Sequence, residues 1–182
     1  SKQLSQGAKH MLKNTQELLA DLGLSTTIYN PYTFKTKGEM FVECTNQTFI
    51  QGVFQDSVSC GKRGRKQNWE IRTGVQECGI CMPCIYRRAA LNKVGLDNEN
   101  HYGNFITKAD SRNYSKDLPA LINYLKRSIS LEKMKRDLLV NGNIEIYDLE
   151  EYAEMVLRSK DEVLQLFREK GNRFIQSELG IR

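Results

Sequence analysis

Four of the five cysteines in this sequence are spaced as the ligands of a single metal ion. Cys78, Cys81 and Cys84 are each separated by two residues, so a tight turn can direct their sulfur atoms to a common point. Cys60 lies upstream and can supply a fourth thiolate once the intervening chain loops back. We predict that residues 60–88, called here the cysteine knuckle, bind a metal.

The spacing also restricts which metal the cysteine knuckle can hold. A bacterial ferredoxin run needs a further cysteine, followed by proline, four residues after the third, but position 88 is Arg88. Four thiolates complete a closed tetrahedron around Zn²⁺ at about 2.3 Å, and a closed site is structural because catalytic zinc keeps a position open for water. The sequence favours structural zinc, with an unusual iron–sulfur cluster and free thiols as alternatives. The remaining cysteine, Cys44, is predicted to be a buried free thiol.

Two basic features could contact phosphate. Thr36-Lys37-Gly38-Glu39 has the Thr-x-x-Glu pattern of a capping box, which places Lys37 in the first turn of a helix, where free N–H groups favour anions. Residues 61–67 form the densest positive patch, and their glycines predict a loop. A solvated lysine and a solvated loop explain the same residues, so both interpretations stay open. His10 and His101 are predicted to be structural and surface residues, respectively.

The elements that must position these residues are predominantly helical. Apolar residues at helical spacing predict an amphipathic helix over residues 3–22. Residues 24–29 have the composition of a short buried strand. Residues 45–59 predict a short helix followed by an extended segment that delivers Cys60, and residues 85–94 predict a helix directly after the last ligand.

The C-terminal part is predicted to be a helical tail. Residues 96–114 are polar and form a linker or an ordered loop. Residues 115–182 contain four apolar periodic segments with short connections, which indicate an antiparallel helical bundle. The third helix is predicted to begin at Asp148-x-x-Glu151, and the fourth at a second capping box, Ser159-x-x-Glu162.

Composition is that of an ordinary globular protein. The sequence has 182 residues, of which 40% are hydrophobic and 27% charged, and a net charge of +5. This length is enough for one hydrophobic core and an additional group of helices. Mild basicity fits a nucleic-acid partner and equally a protein without one.

No apolar run approaches the roughly 18 residues of a membrane span, and no signal peptide opens the sequence, so we expect a cytoplasmic protein without a membrane partner. Reduced thiols in that compartment favour a metal over disulfides. The first residue is Ser1, and we expect an upstream part.

Several motifs together resemble the C-terminal part of the 7-cyano-7-deazaguanine synthase (QueC) family. In chain order they are Asn30-Pro31-Tyr32, Thr36-Lys37-Gly38-Glu39-Met40, Ser57-Val58-Ser59-Cys60 and Cys78-Gly79-x-Cys81-x-x-Cys84-x-x-Arg87. The Asn-Pro-Tyr and Thr-Lys-Gly-Glu-Met variants, with Arg87-Arg88-Ala89-Ala90-Leu91 after the last cysteine, are more similar to the QatC-like branch found in bacterial anti-phage systems. The resemblance covers about residues 28–95.

This resemblance implies an α/β fold in which residues 1–95 are the mostly helical C-terminal portion of a Rossmann-like PP-loop (adenine nucleotide alpha hydrolase) domain. Members use ATP and Mg²⁺ to adenylate a substrate carboxylate before ammonia enters and a nitrile forms. The four cysteines match the family's structural zinc ligands. Lys37 matches a lysine near the nucleotide phosphates, where it would neutralise the departing pyrophosphate. No residue of this chain is assigned a catalytic role.

The chain also departs from the family pattern. The Ser-Gly-Gly-x-Asp-Ser phosphate loop does not occur in these 182 residues. Without the backbone N–H donors of that loop, the chain lacks the family's binding site for the phosphates of ATP. We therefore expect this chain alone to be inactive and to be completed by an N-terminal ATPase half or another subunit. The long tail after Cys84 favours the QatC-like branch and a role in anti-phage defence. The alternative is a non-catalytic binding module that docks a partner protein or nucleic acid.

Overall fold

The computed structural model describes residues 2–108, 117–141 and 144–181, and these ranges are predominantly helical. Short 3-10 turns join many of the helices, and within the described ranges the β-structure is one isolated bridge between Glu77 and Tyr102. The side chain of His10 lies outside the described residues. The α-helices are α1 (Lys2–Asp21), α2 (Lys37–Val42), α3 (Gln47–Val53), α4 (Met82–Lys93), α5 (Asp117–Leu125), α6 (Leu131–Asn141), α7 (Leu149–Lys170) and α8 (Arg173–Leu179).

The strand predicted at residues 24–29 is wrong. A strand needs a neighbouring strand to pair its backbone N–H and C=O groups, and this segment has none among the described residues. The side-chain amide of Gln16 bonds to it instead, donating to the Thr26 carbonyl at 2.5 Å and accepting from the Ile28 N–H at 2.6 Å. The described part of the chain thus has the helical character predicted for it but contains no Rossmann-like parallel sheet.

The capping box that begins α2 is confirmed. The Thr36 hydroxyl accepts a hydrogen bond from the Glu39 N–H at 3.0 Å, and the Glu39 carboxylate accepts one from the Thr36 N–H at 2.8 Å. Two orphan backbone donors are therefore satisfied locally, which fixes the start of this six-residue helix at Lys37.

The second capping box is wrong, because Ser159 lies in the interior of α7 rather than at a helix start. The predicted third and fourth helices are one continuous helix of 22 residues, Leu149–Lys170. The Glu162 carboxylate, predicted to cap that start, instead accepts hydrogen bonds from Thr36 at 2.5 Å and from Lys93 at 3.0 Å. The real break comes after Gly171, where Asn172 caps α8.

The largest core joins α4 to the helical tail. Helices α4, α5, α7 and α8 meet around a cluster of fully buried apolar side chains, and burying such side chains is the main favourable term in folding. A smaller cluster joins α6 to α7. No helix in the described ranges is both long enough and apolar enough to cross a membrane. The larger cluster consists of Ile85, Ala89, Ile106, Leu118, Leu121, Ile122, Leu125, Val163, Leu166, Phe167 and Ile175.

Candidate metal centre

The four cysteines predicted as ligands lie together in the structure. Their Sγ atoms are all within 4.8 Å of one another, and those of Cys78 and Cys84 are 3.9 Å apart. Zn–S bonds of about 2.3 Å in a tetrahedron separate the sulfurs by about 3.8 Å, which matches this spacing. All five cysteines fall within the described ranges, and none forms a disulfide. Four such thiolates could hold one metal ion and would leave no position for water.

A reversal of the chain between Cys78 and Cys84 brings three of the sulfurs together. Gly79 has a left-handed φ of +80°, which turns the backbone directly after Cys78. Cys81 is the N-cap of α4, and its N–H donates to the Cys78 Sγ at 3.3 Å. Cys84 lies in the first turn of α4 with no exposed surface. The helix that is anchored in the central core therefore carries a candidate metal ligand at its start.

The fourth ligand comes from a separate segment. The Cys60 Sγ accepts hydrogen bonds from the Lys62 and Cys78 N–H groups, both at 3.3 Å. It is partly exposed, whereas the other three sulfurs belong to buried residues. N–H donors aimed at sulfur favour the thiolate over the thiol, and the thiolate is the form that binds a metal.

The four thiols do not share a common acidity. Hydrogen bonds from Cys78, Cys81 and Cys84 stabilise the thiolate of Cys60 and hold its pKa far below the usual range. The proximity of Cys60, Cys78 and Cys81, together with burial, raises the pKa of Cys84 far above it. Four negative charges at this spacing repel one another, so all four sulfurs can ionise together only around a cation.

An apolar layer packs against the cluster, and the basic residues of 61–67 contact neighbouring parts of the protein. Trp69, Val75 and Ile80 are buried against the cysteines. Three of the four cations in residues 61–67 contact the protein itself, because Lys62 pairs with Asp117, Arg63 with the Gln76 side chain and Lys66 with the Val75 carbonyl. The predicted loop is in part the 3-10 helix Arg63–Asn68, and these contacts hold the segment against residues 75–76 and the start of α5.

The polar segment after α4 also supports the site, as an ordered loop. Tyr102 is bridged to Glu77, and the Gly103 N–H donates to the Glu77 carbonyl at 2.8 Å. The Asn104 side-chain amide donates to the Cys78 carbonyl at 2.8 Å. This segment therefore fixes the backbone immediately before the three closely spaced ligands.

The sequence analysis named Arg87 and Arg88 of α4 only as part of a motif and did not predict that both are buried. Arg87 pairs with Glu77 at 3.0 Å, and both side chains are buried. Arg88, with no exposed surface, pairs with Asp97 at 3.1 Å and stacks on the Tyr102 ring at 4.5 Å. A signal was present in the sequence, since these two consecutive arginines lie between Ile85 and the apolar run Ala89-Ala90-Leu91.

The other residues singled out from the sequence lie apart from this cluster. Lys37 is exposed at the start of α2. Cys44 is half-buried rather than buried as predicted, because α2 ends at Val42 and leaves it in the following turn, where its thiol contacts the Asn46 carbonyl. His101 is half-buried in a 3-10 turn and contacts the Gln55 side chain at 3.4 Å.

Comparison with family models, with curated proteins and with solved structures finds no match to this chain.

Proposed function

We propose that the four cysteines bind one structural Zn²⁺, and that this chain is the zinc-braced C-terminal part of a QueC-like, ATP-dependent adenylating ligase of the QatC-like, anti-phage branch. The observation that supports the zinc is the convergence of four sulfurs within 4.8 Å of one another from two separate segments. The closed ligand set and the buried position support a structural role, since no site for an activated water remains.

Metal analysis tests the first part of this proposal. We expect the purified protein to be colourless and to contain one zinc per chain by mass spectrometry. Replacing zinc with Co²⁺ should give the intense ligand-field absorption of a tetrahedral site together with strong thiolate-to-metal charge transfer. Brown colour with bound iron would contradict zinc, and protein that folds fully without any metal would contradict a structural role.

The proposed ligase role rests on the motif series and on how α2 is held. Helix α2 packs against α4 and α7, with Glu39 paired to Arg158 and Thr36 bonded to Glu162. Because α4 begins at the metal centre, zinc would stabilise α4 and, through it, the helix that presents Lys37. In the proposed complete enzyme, Lys37 would neutralise charge on the pyrophosphate that leaves ATP and Mg²⁺ held by the N-terminal half.

Pyrophosphate release from ATP by the complete protein, with its partners present, tests the ligase role. We expect release in the presence of a deazapurine-like or protein substrate bearing a carboxylate. Lys37→Ala should reduce it by at least about tenfold, as expected for a lost electrostatic contact to the leaving group. Lys13→Ala, which removes an exposed lysine on α1, is the matched control. Absence of release under every condition would refute the ligase proposal and leave the zinc proposal standing.

The contacts of residues 61–67 argue against the alternative of nucleic-acid docking through this loop. Lys62, Arg63 and Lys66 contact other residues of the protein, so we propose that this segment stabilises the fold around the four cysteines. Nucleic-acid binding driven by phosphate contacts would fall steeply with added salt. We expect no such binding at physiological salt, and a steep salt dependence would favour the binding-module alternative.

A further inference from the structure

We propose that Arg87, together with Glu77, is the positioning residue that makes the metal centre a four-thiolate site, because this buried pair ties together the segments that carry the ligands. The inference rests on the proposed metal binding and adds to it the means by which Cys60 is recruited. Without such a tie, Cys78, Cys81 and Cys84 would form a three-sulfur site and leave the fourth position open.

The first set of contacts holds the segment that delivers Cys60. The Arg87 guanidinium donates to the Ser57 hydroxyl at 2.7 Å and to the Phe54 carbonyl. The Glu77 carboxylate accepts the Ser59 N–H at 2.5 Å. The pair therefore bonds the chain at three points just before Cys60, the only ligand outside the Cys78–Cys84 turn.

The second set of contacts fixes the other ligands. Glu77 directly precedes Cys78, and its backbone carbonyl is bonded by Gly103. Arg87 lies three residues after Cys84, on the same face of α4 within the first turns of the helix. The ion pair of 3.0 Å between Arg87 and Glu77 thus links two segments. One is the residue directly before Cys78, and the other is α4, which carries Cys84.

An ordinary structural ion pair would contribute to stability, but it would not need to bond the segments on both sides of the cysteine cluster. Both side chains are buried, so their charges carry a desolvation cost that only close geometry offsets. The hydrogen bonds that offset this desolvation cost are all formed with Phe54, Ser57 and Ser59, in the segment that leads to Cys60. Partners outside the ligand shell that orient ligands typically change metal affinity by about 10- to 100-fold when they are lost.

Co²⁺ titration of the folded chain tests this role, because thiolate-to-cobalt charge transfer reports how many sulfurs bind the metal. Cys60→Ala provides the three-sulfur reference. We expect Arg87→Ala to lower the charge-transfer intensity to that reference and to weaken Zn²⁺ binding about 10- to 100-fold. Arg87→Lys keeps the charge but loses part of the fork geometry, and we expect a partial recovery.

Arg88→Lys is the matched control, since it weakens a buried ion pair at the adjacent position without touching the segment before Cys60. It should lower the melting temperature and keep the four-sulfur spectrum. If Arg87→Ala does not fold by circular dichroism, Arg87→Lys and Glu77→Gln should each give an intermediate spectrum. The inference is overturned if the Arg87 variants keep the wild-type cobalt spectrum and Zn²⁺ affinity. It is also overturned if Arg88→Lys loses as much charge-transfer intensity and Zn²⁺ affinity as Arg87→Ala does. A wild-type chain that binds no cobalt refutes the metal proposal itself.

Discussion

The guanidinium of Arg88 forms two parallel hydrogen bonds of 3.1 Å to the carboxylate of Asp97, and both side chains are fully buried. Lys170 from the end of α7 also reaches this carboxylate, at 2.9 Å. The pair therefore connects the helix of the metal centre, the loop after it and the long tail helix through one buried carboxylate.

Removing Arg88 should destabilise the protein strongly. Arg88→Ala leaves Asp97 buried with Lys170 as its remaining cationic contact, and breaking a buried pair costs about 3–5 kcal/mol of unfolding free energy. Urea unfolding followed by circular dichroism measures the loss. Arg158→Ala, which removes a partly exposed arginine paired with Glu39, should cost less than about 1 kcal/mol. Equal losses in the two variants would contradict this assignment.

Replacing Gly79 should be far more damaging than replacing Gly74. Both glycines have left-handed φ values, +80° and +77°, so alanine is strained at either position. A Cβ on Gly79 would also lie 2.6 Å from the Tyr102 Cβ and 2.8 Å from the Asn104 carbonyl, whereas nothing lies within 4 Å at Gly74. We expect Gly79→Ala to lose at least about 2 kcal/mol more, as overpacking of a close contact does. Thermal unfolding of the two variants would show the difference, and similar melting temperatures would refute it.

Loss of the fully buried Cys84 should unfold the cysteine cluster, while loss of Cys44, the fifth cysteine, should not. Cys84→Ser removes a thiolate from the buried site. If zinc binds there as proposed, its binding contributes to folding, so we expect a loss of at least about 3 kcal/mol of unfolding free energy and of the zinc. The melting temperature should fall by about 6–12 °C. Cys44→Ser, outside the cluster, should keep both the zinc and the melting temperature. Unchanged melting of Cys84→Ser together with loss of pyrophosphate release by the complete protein would overturn the structural role.

The pair between Glu39 and Arg158 should weaken in acid. Burial opposes ionisation of Glu39, but hydrogen bonds from Arg158 and the Thr36 N–H outweigh it and hold its pKa below the usual value. A depressed folded-state pKa stabilises the fold above about pH 4.3 and loses that contribution as the pH falls through the folded-state pKa. A double-mutant cycle with Glu39→Gln and Arg158→Gln should give a coupling of about 0.5 kcal/mol at pH 7, and this coupling should decrease as the pH is lowered. Coupling that persists in acid would contradict this.

Local signals predicted the features that depend on nearby residues. The spacing of Cys78, Cys81 and Cys84 correctly indicated a cluster, because a turn of two residues fixes where the sulfurs point. Thr36-x-x-Glu39 correctly indicated a helix start, since both partners of the cap lie within one turn.

Features that depend on distant partners could not be read in the same way. The pattern Ser159-x-x-Glu162 is equally good locally, but Glu162 is held by Thr36 and Lys93, and the helix continues past it. The run at residues 24–29 has strand composition, but a strand exists only where another segment pairs with it. The ion pair of Arg87 with Glu77 was missed because nine residues lie between them in the sequence and no pattern marks the pairing.

The core shared by α4 and α7 should couple the cysteine cluster and the tail into one cooperative unit. Ile85 and Ala89 of α4 are packed with Val163, Leu166 and Phe167 of α7, which holds no ligand. Backbone amides in both helices should therefore exchange with deuterium only through the same global opening. Stripping the metal with a chelator should then accelerate exchange in α7 as much as in α4, so that the helix without ligands reports on the metal.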